Sequence, residues 1–101
     1  MFPVRQAKWI GPGVRWLVVE APRVAARHEP GHFVIVRATP DGERIPLTIA
    51  DSDPAAGTIT LVVQKVGATT EILCALDPGD ALQDVVGPLG RPAIERRRRS
   101  G

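Results

Sequence analysis

The stretch GERIPLTIAD, residues 42–51, decides how this 101-residue chain is interpreted. Its apolar residues alternate with others as in a β-strand, but Pro46 interrupts the run. Proline has no N–H for a strand ladder, so the stretch is predicted to lie at a sheet edge or a bulge. Two interpretations are open. Either Arg44 and Thr48 face water while Leu47 points to the core, or the freed backbone holds a planar ligand against Leu47 with help from Thr48 and Arg44.

Short runs of valine, isoleucine and leucine surround this stretch, separated by glycine, proline or aspartate. A turn signal about every eight to twelve residues is typical of a small all-β barrel or sandwich. The sequence predicts an all-β fold, a six-stranded antiparallel Greek-key barrel with one short helix. The predicted strands cover residues 4–9, 14–20, 32–38, 44–50, 58–66 and 81–86.

One segment, TTEILCAL at residues 69–76, has helical periodicity instead. Thr69 or Thr70 is expected as the N-cap, and Cys74 is expected as a small buried residue on the apolar side. Free N–H groups at the start of a helix bind anions where a glycine, here Gly67, lets a ligand approach. An anion site and a simple corner between strand and helix both fit the sequence.

Composition and length restrict the class of protein. With 44% hydrophobic and 24% charged residues, 101 residues suit one globular domain. No apolar run approaches the roughly 20 residues of a membrane-spanning helix, and the start does not resemble a signal peptide. Cys74 is the only cysteine, so no internal disulfide can form. A cytoplasmic protein without a membrane partner is expected.

The net charge of +2 comes from arginines near the C-terminus. Without the four arginines at 96–99, nine basic and eleven acidic residues remain, so the rest of the chain is mildly acidic. Residues 94–101 are predicted to be a basic disordered tail, because like charges repel and no apolar anchors accompany them. The folded domain is expected to span residues 1–93, and its charge disfavours nucleic acid as a partner.

Familiar catalytic and metal-binding patterns are absent from the sequence. There is no CxxC, GxSxG or P-loop motif. His28 and His32 flank Glu-Pro-Gly, which breaks any helix, so two solvated loop histidines are expected rather than a metal pair. Trp9 and Trp16 are expected to pack in the first hairpin. No catalytic residue and no metal ligand is predicted, so a cofactor would have to supply any reactivity.

Four segments in a fixed order resemble one known family. They are PGHFVIVR (30–37), GERIPLTIAD (42–51), GTITLVVQKVGATTEIL (57–73) and GDALQDVVGPLG (79–90). Over about residues 5–92 the chain resembles the FAD-binding barrel of the ferredoxin-NADP reductase superfamily. It is most similar to the small flavin subunits of the NADH-dependent reduced ferredoxin:NADP oxidoreductase and sulfide dehydrogenase type. The electron-transfer subunit of dihydroorotate dehydrogenase is similar too.

The resemblance implies which residues hold the flavin. The family motif Arg-x-Tyr-Ser/Thr corresponds here to Ile45, Pro46, Leu47 and Thr48. The Thr48 hydroxyl is thereby implied to reach flavin N5, and Leu47 takes the place of the aromatic shield. Arg44 stands one residue before the position of the family arginine that meets the pyrophosphate.

Two further segments are implied to complete the FAD site. Backbone groups of the next strand line the flavin and ribityl chain, at Val62, Val63 and Gln64. The glycine and hydroxyl motif that binds the pyrophosphate corresponds to Gly67, Thr69 and Thr70. This match favours the anion-site interpretation of the helix start.

The resemblance also implies partners outside this chain. Family members continue into an NAD(P)-binding domain, and many carry cysteines for a 2Fe-2S cluster. The chain is therefore expected to be the FAD-binding domain of an oxidoreductase that passes electrons between a nicotinamide, the flavin and an iron–sulfur partner. NAD(P)H and the 2Fe-2S cluster would be held by an NAD(P)-binding domain or a larger iron–sulfur flavoprotein subunit. The chain alone is not expected to complete the reaction.

Two other functions stay open on the sequence alone. A truncated barrel that does not bind flavin would act as a folding or interaction module, without colour or stabilisation by nucleotides. A small nucleic-acid-binding barrel would place residues 96–99 on phosphates, and its affinity would fall steeply with salt. The latter is the weaker alternative, because only four aromatic residues are present and no basic face is interleaved with them.

Overall fold

The structure, a computed structural model, describes residues 1–90. The predicted tail at 94–101 and the domain boundary at residue 93 lie outside the described residues. The strands are β1 (Phe2–Gly11), β2 (Val14–Glu20), β3 (Phe33–Arg37), β4 (Ile45–Asp53), β5 (Thr58–Gln64), β6 (Ala81–Leu82) and β7 (Asp84–Leu89). The helices are α1 (Pro22–Arg27) and α2 (Ala68–Cys74). Over residues 1–90, no helix combines the length and the apolar character that crossing a membrane requires.

The strands form one antiparallel sheet in the order β6-β1-β2-β5-β4-β3-β7. The strands β3, β4 and β5 are consecutive neighbours, and β2 lies beside β5 instead of β3. This arrangement of three consecutive strands, with a fourth placed on their far side, is a Greek key. The predicted fold class, an all-β antiparallel Greek-key barrel, is confirmed.

Residues 81–89 close the sheet into a nearly complete barrel. The strand β6 pairs with β1, and β7 pairs with β3 at the other edge of the sheet. Between these two strands, the Gln83 N–H donates a hydrogen bond to the Arg37 carbonyl oxygen (2.8 Å). The predicted number of six strands is wrong by one, because the last predicted strand changes its partner at Gln83 and becomes two strands.

Helix α1 shows that the prediction of a single helix is also wrong. Pro22 occupies its first turn, where a missing N–H does no harm, and Arg27 lies in its last turn. Val24 and Ala25 are buried on its core side. Only six residues long, the helix has too few apolar positions for a helical period to show in the sequence.

Aliphatic side chains on alternate strand positions fill the barrel. Val34 and Val36 of β3 and Leu61 and Val63 of β5 have no exposed surface. Full burial of such a side chain contributes roughly 1.5–3 kcal/mol relative to leaving it exposed. Cys74 of α2 is buried against the same core, as the sequence predicts.

Candidate functional site: a split between two strands

The strands β4 and β5 separate from each other within the stretch GERIPLTIAD, residues 42–51, and leave a split between them. The ladder between these strands begins at the pair Ile49↔Leu61. Before it, residues 45–48 are paired in the described chain with β3 only, and beyond it residues 62–64 are paired with β2 only. The two strands therefore diverge, and two backbone edges face an opening.

The backbone of Thr48 is directed into this split. On the opposite side of β4, the Ile49 N–H donates to the His32 carbonyl oxygen (3.3 Å). Backbone groups alternate sides along an antiparallel strand, so the N–H of Thr48 and the nitrogen of Pro46 point toward β5. Pro46 has no hydrogen to donate there, which is a local reason for the ladder to stop. The predicted edge at Pro46 is confirmed, and a bulge follows between Ile49 and Asp51.

The side chains of the predicted flavin motif divide between the two faces of β4. Ile45 and Leu47 are half-buried and pack against the core. Pro46 and Thr48 are exposed on the outer face. The Thr48 side chain is thus exposed on the outer face beside the split, whereas Leu47 lies on the other face, and the roles of both toward a flavin stay predictions.

The opposite edge of the split consists of the predicted residues Val62, Val63 and Gln64. The side chain of Val63 is buried, that of Val62 is half-buried, and that of Gln64 is exposed. The Cys74 thiol donates to the Val63 carbonyl oxygen (3.7 Å). Burial raises the pKa of this thiol, and Lys65 and Arg15 only partly oppose the effect. Cys74 therefore joins α2 to β5 as a neutral donor rather than a nucleophile.

Helix α2 starts just beyond β5, and its first turn is organised by Thr70. The Thr70 hydroxyl accepts from the N–H groups of Val66 (2.9 Å) and Gly67 (3.0 Å) and donates to the Gly67 carbonyl oxygen (3.0 Å). The prediction that Thr69 or Thr70 is the N-cap is wrong, because Gly67 takes that position. Gly67 is extended (φ −174°), and a Cβ placed on it would meet no atom within 4 Å. Open space therefore lies beside Gly67.

Glu43 connects this helix start to the loop before β4. The Thr69 hydroxyl donates to Glu43 Oε1 (2.6 Å). Glu43 lies just before β4 and Thr69 just beyond β5, so their bond spans the open end of the split. Sequence reasoning missed Glu43, because no local pattern marks a contact between residues 26 positions apart.

The Arg44 side chain lies near Asp84 of β7 and not at the start of α2. Its Nη2 lies 3.7 Å from Asp84 Oδ2, and Nη2 of Arg37 lies 2.5 Å from the same oxygen. The Arg44 side chain is 59% exposed, so its ion pair is weak and screened by water. Its predicted contact with the pyrophosphate would require Arg44 to leave Asp84.

Arg15 is a buried cation that sequence reasoning also missed. Its Nη2 donates to the Leu76 carbonyl oxygen (3.1 Å) and to Asp77 Oδ1 (2.6 Å), just after the end of α2. A cation at this position also complements the helix dipole. The guanidinium stacks on Trp9, 5.1 Å from the ring centroid. Arg15 thus ties α2 to β2 and holds the helix in place beside the split.

His28 and His32 are not the solvated pair that the sequence predicts. His32 is 8% exposed, and its Nδ1 accepts from the Glu29 N–H (3.0 Å). His28 is half-buried and shares a hydrogen bond with Ser52 Oγ (2.8 Å). Burial and then the charge of His32 lower the pKa of His28, against the opposing effect of Asp51. In the described part of the chain, no group of three or more His, Cys, Asp or Glu could hold a metal ion.

A separate apolar cavity of about 490 Å³ lies beside α1. No residue of the predicted flavin site lines it. Its walls are Phe2, Ala21, Pro22, Arg23, Val24, Val85 and Gly87.

Known proteins are similar to the whole of this barrel, although no protein-family model matches the chain. An uncharacterized protein in the adh 3′ region of Clostridium beijerinckii is 45% identical over 93 residues, which are 92% of this chain and 31% of that protein. The dihydroorotate dehydrogenase B (NAD(+)) electron transfer subunit homolog of Thermotoga maritima is 47% identical over 74% of this chain and 27% of its own length. The chain thus spans about a third of the length of these relatives or less.

A solved structure is also similar, that of the NADH-dependent reduced ferredoxin-NADP oxidoreductase, described for flavin-based electron bifurcation. It superposes with a TM-score of 0.89 and 40% identity over 92% of this chain and 34% of the other. The chain is therefore a ferredoxin-NADP reductase-like barrel. Within that class it is related to the electron transfer subunits of dihydroorotate dehydrogenase B and to this oxidoreductase, as the four sequence segments predict.

Proposed function

We propose that this barrel binds FAD at the split and is the flavin-binding part of an electron-transfer oxidoreductase. The observation that carries the proposal is the divergence of β4 and β5 at the predicted motif. It leaves two backbone edges facing one opening, and the Thr48 side chain is exposed beside it. A planar ring with donors and acceptors on its edges suits such a site, because it can replace the missing strand-to-strand hydrogen bonds.

The residues around the split fit this cofactor. Thr48 would supply its hydroxyl and N–H to the flavin ring, and the backbone at 62–64 would line the other side. The pyrophosphate would lie at Gly67, where a side chain is lacking and space is open. There the N–H groups of the first turn of α2 have no carbonyl partner within the helix. Thr69 would contribute its hydroxyl after leaving Glu43. The Thr70 hydroxyl is held by the backbone of residues 66 and 67, so Thr70 would contribute its N–H.

When bound, FAD can accept a hydride and release electrons singly, and this is the chemistry that the site would use. The chain contributes placement and hydrogen bonding. Thr48 is neutral, so it can orient the flavin edge without acting as an acid or base. Arg15 and Cys74 hold α2 against the barrel and thereby fix the phosphate end relative to Thr48.

Partners are part of the proposal. An NAD(P)-binding domain would deliver the hydride, and an iron–sulfur domain or subunit would take the electrons. The names of two similar proteins, which mention NAD(+), NADH, ferredoxin and electron transfer, support this proposal. These activities belong to the longer proteins of which the barrel matches about a third. We also propose a cytoplasmic location, because Cys74 is a free thiol, which suits a reducing compartment.

A visible absorption spectrum and a thermal-shift titration with FAD, FMN and buffer test the proposal. A ligand that binds only the folded state raises Tm by mass action, so the test works even when purification removes the flavin. We expect flavin absorption bands, or stabilisation by FAD that exceeds that by FMN. Thr48→Val should reduce the FAD-induced shift. Thr60→Val is the matched control, since Thr60 is a half-buried threonine paired within the ladder and away from the split.

A colourless protein that saturating FAD does not stabilise would contradict the proposal. The barrel would then have kept the shape of its class without the cofactor. Equal losses of stabilisation in the Thr48 and Thr60 variants would show that the loss does not come from a specific contact of Thr48 with the flavin.

A further inference from the structure

The contact between Glu43 and Thr69 places a negative charge at one end of the proposed flavin site. A hydroxyl has a single proton, so Thr69 can donate to only one acceptor at a time. In the structure that acceptor is the Glu43 carboxylate, at 2.6 Å. A phosphate that takes the Thr69 hydroxyl must therefore displace Glu43.

The residues on either side of Glu43 make contacts of their own and leave its carboxylate to Thr69. The Gly42 N–H donates to the Thr39 carbonyl oxygen (3.0 Å), which closes a turn just before Glu43. The next side chain, Arg44, is directed to Asp84 and not to Glu43. Within residues 1–90, no basic side chain lies within salt-bridge distance of the Glu43 carboxylate. The charge of Glu43 is thus not neutralised by an ion pair with the described residues.

We propose that Glu43 is an internal competitor of the flavin phosphates for the Thr69 hydroxyl, and that a phosphorylated flavin must displace it to bind there. The inference rests on the proposed function. The bond joins the loop before β4 to the start of α2, so the carboxylate lies at the end of the split where the phosphates would bind. Glu43 therefore weakens the binding of phosphorylated flavins relative to flavins that lack phosphate.

Glu43→Gln is the informative substitution. Glutamine keeps an oxygen that accepts from Thr69 but removes the charge, so it separates repulsion of the ligand from competition for the Thr69 hydroxyl. Glu71→Gln is the matched control, because Glu71 lies exposed in the first turn of the same helix and has no hydrogen bond to Thr69. An effect of negative charge near the helix that does not depend on the bond between Glu43 and Thr69 would appear in both variants.

Calorimetric titrations of the wild type and both variants with FAD, FMN and riboflavin test the inference. We expect Glu43→Gln to bind FAD about three- to fivefold more tightly, a range typical of removing one partly screened charge interaction. FMN should gain in the same direction, and riboflavin should bind the variant and the wild type equally. The gain should shrink between about 50 and 500 mM salt, because the Debye length becomes shorter. Glu71→Gln should change FAD affinity by less than about 1.5-fold.

Three other results would overturn the inference. If FAD binds equally to the wild type and Glu43→Gln, or more weakly to the variant, Glu43 is not a competitor. If Glu71→Gln gives the same gain as Glu43→Gln, the effect belongs to the general charge of the region. If no protein binds any flavin, the proposed function fails and the inference fails with it, which the spectrum and thermal shifts distinguish from the first two cases.

Discussion

Gly67 and Thr70 lie three residues apart, but the structure gives them different partners. The Thr70 hydroxyl is occupied by two N–H groups and a carbonyl of the chain itself. Gly67 has an extended backbone that any residue adopts, and the space beside it is open. Stability is thus expected to depend on Thr70, and ligand approach on Gly67.

Gly67→Val should therefore mainly weaken FAD binding, whereas Thr70→Ala should mainly lower the stability of the fold. Valine would fill the open space, so we expect FAD affinity to fall by about tenfold or more, while the free energy of unfolding changes by less than about 1 kcal/mol. Alanine at position 70 removes the capping hydroxyl and should cost about 0.5–2 kcal/mol of stability. Urea unfolding and FAD titration of both variants check this, with Thr70→Ser as the control that retains the hydroxyl. Equal losses of binding and stability in Gly67→Val would mean that Gly67 only forms a corner.

The site residues that the sequence could indicate are those that belong to contiguous motifs. Thr48 and Gly67 are predicted as site residues because a local resemblance covers them. Glu43 and Arg15 were missed, because each acts on a residue 26 or more positions away. Arg44 is predicted to contact the phosphates because it lies next to the family motif, and only the structure shows its contact with Asp84.

Helix α2 depends on its anchors, because seven residues are too few to be stable alone. Arg15 holds the chain just after the helix, and Leu73 and Cys74 bury its apolar side. The guanidinium is buried, whereas its carboxylate partner Asp77 is 69% exposed. The two members of this ion pair should therefore differ in their importance.

Arg15→Met should destabilise the protein by about 1–3 kcal/mol, because a buried donor to the Leu76 carbonyl is lost. Asp77→Asn should cost less than about 1 kcal/mol, because the exposed carboxylate is already solvated. Chemical unfolding of both variants measures the difference. FAD affinity should fall further in Arg15→Met, since the start of α2 is then less firmly held. Similar losses in the two variants would show that the ion pair, and not the buried cation, matters.

The fold as a whole was largely readable from the sequence. Alternating valine, isoleucine and leucine positions place the inward residues of β3, β4 and β5, and the turn residues separate the strands. The division of the last predicted strand into β6 and β7 at Gln83 could not be predicted. The sequence of residues 81–86 does not show that the backbone changes its pairing partner from β1 to β3 there. Helix α1 was missed for lack of length, and His32 was placed in water because its burial depends on tertiary packing.

The stability of the whole molecule should depend on pH through His28. Its pKa is lowered from 6.5 in the folded protein, first by burial and then by His32, while Asp51 opposes the shift. The unfolded chain then binds more protons than the folded one below about pH 6.5, so the stabilisation present at higher pH is lost as pH falls. The Tm should drop between pH 7.5 and pH 5.5 more in the wild type than in His28→Asn. Parallel pH profiles would contradict this role, since the other titrating groups are common to both proteins.

The closing segment at residues 81–89 has a consequence for how the chain acquires its shape. During synthesis the N-terminus emerges first, but β1 and β3 stay edge strands until β6 and β7 arrive. Exposed strand edges can pair with other chains, so the nascent barrel is most prone to association just before this segment leaves the ribosome. Among the strands of residues 1–90, the two-residue β6 is the shortest, so hydrogen exchange should begin there and at Phe2, its partner on β1 that carries a backbone N–H.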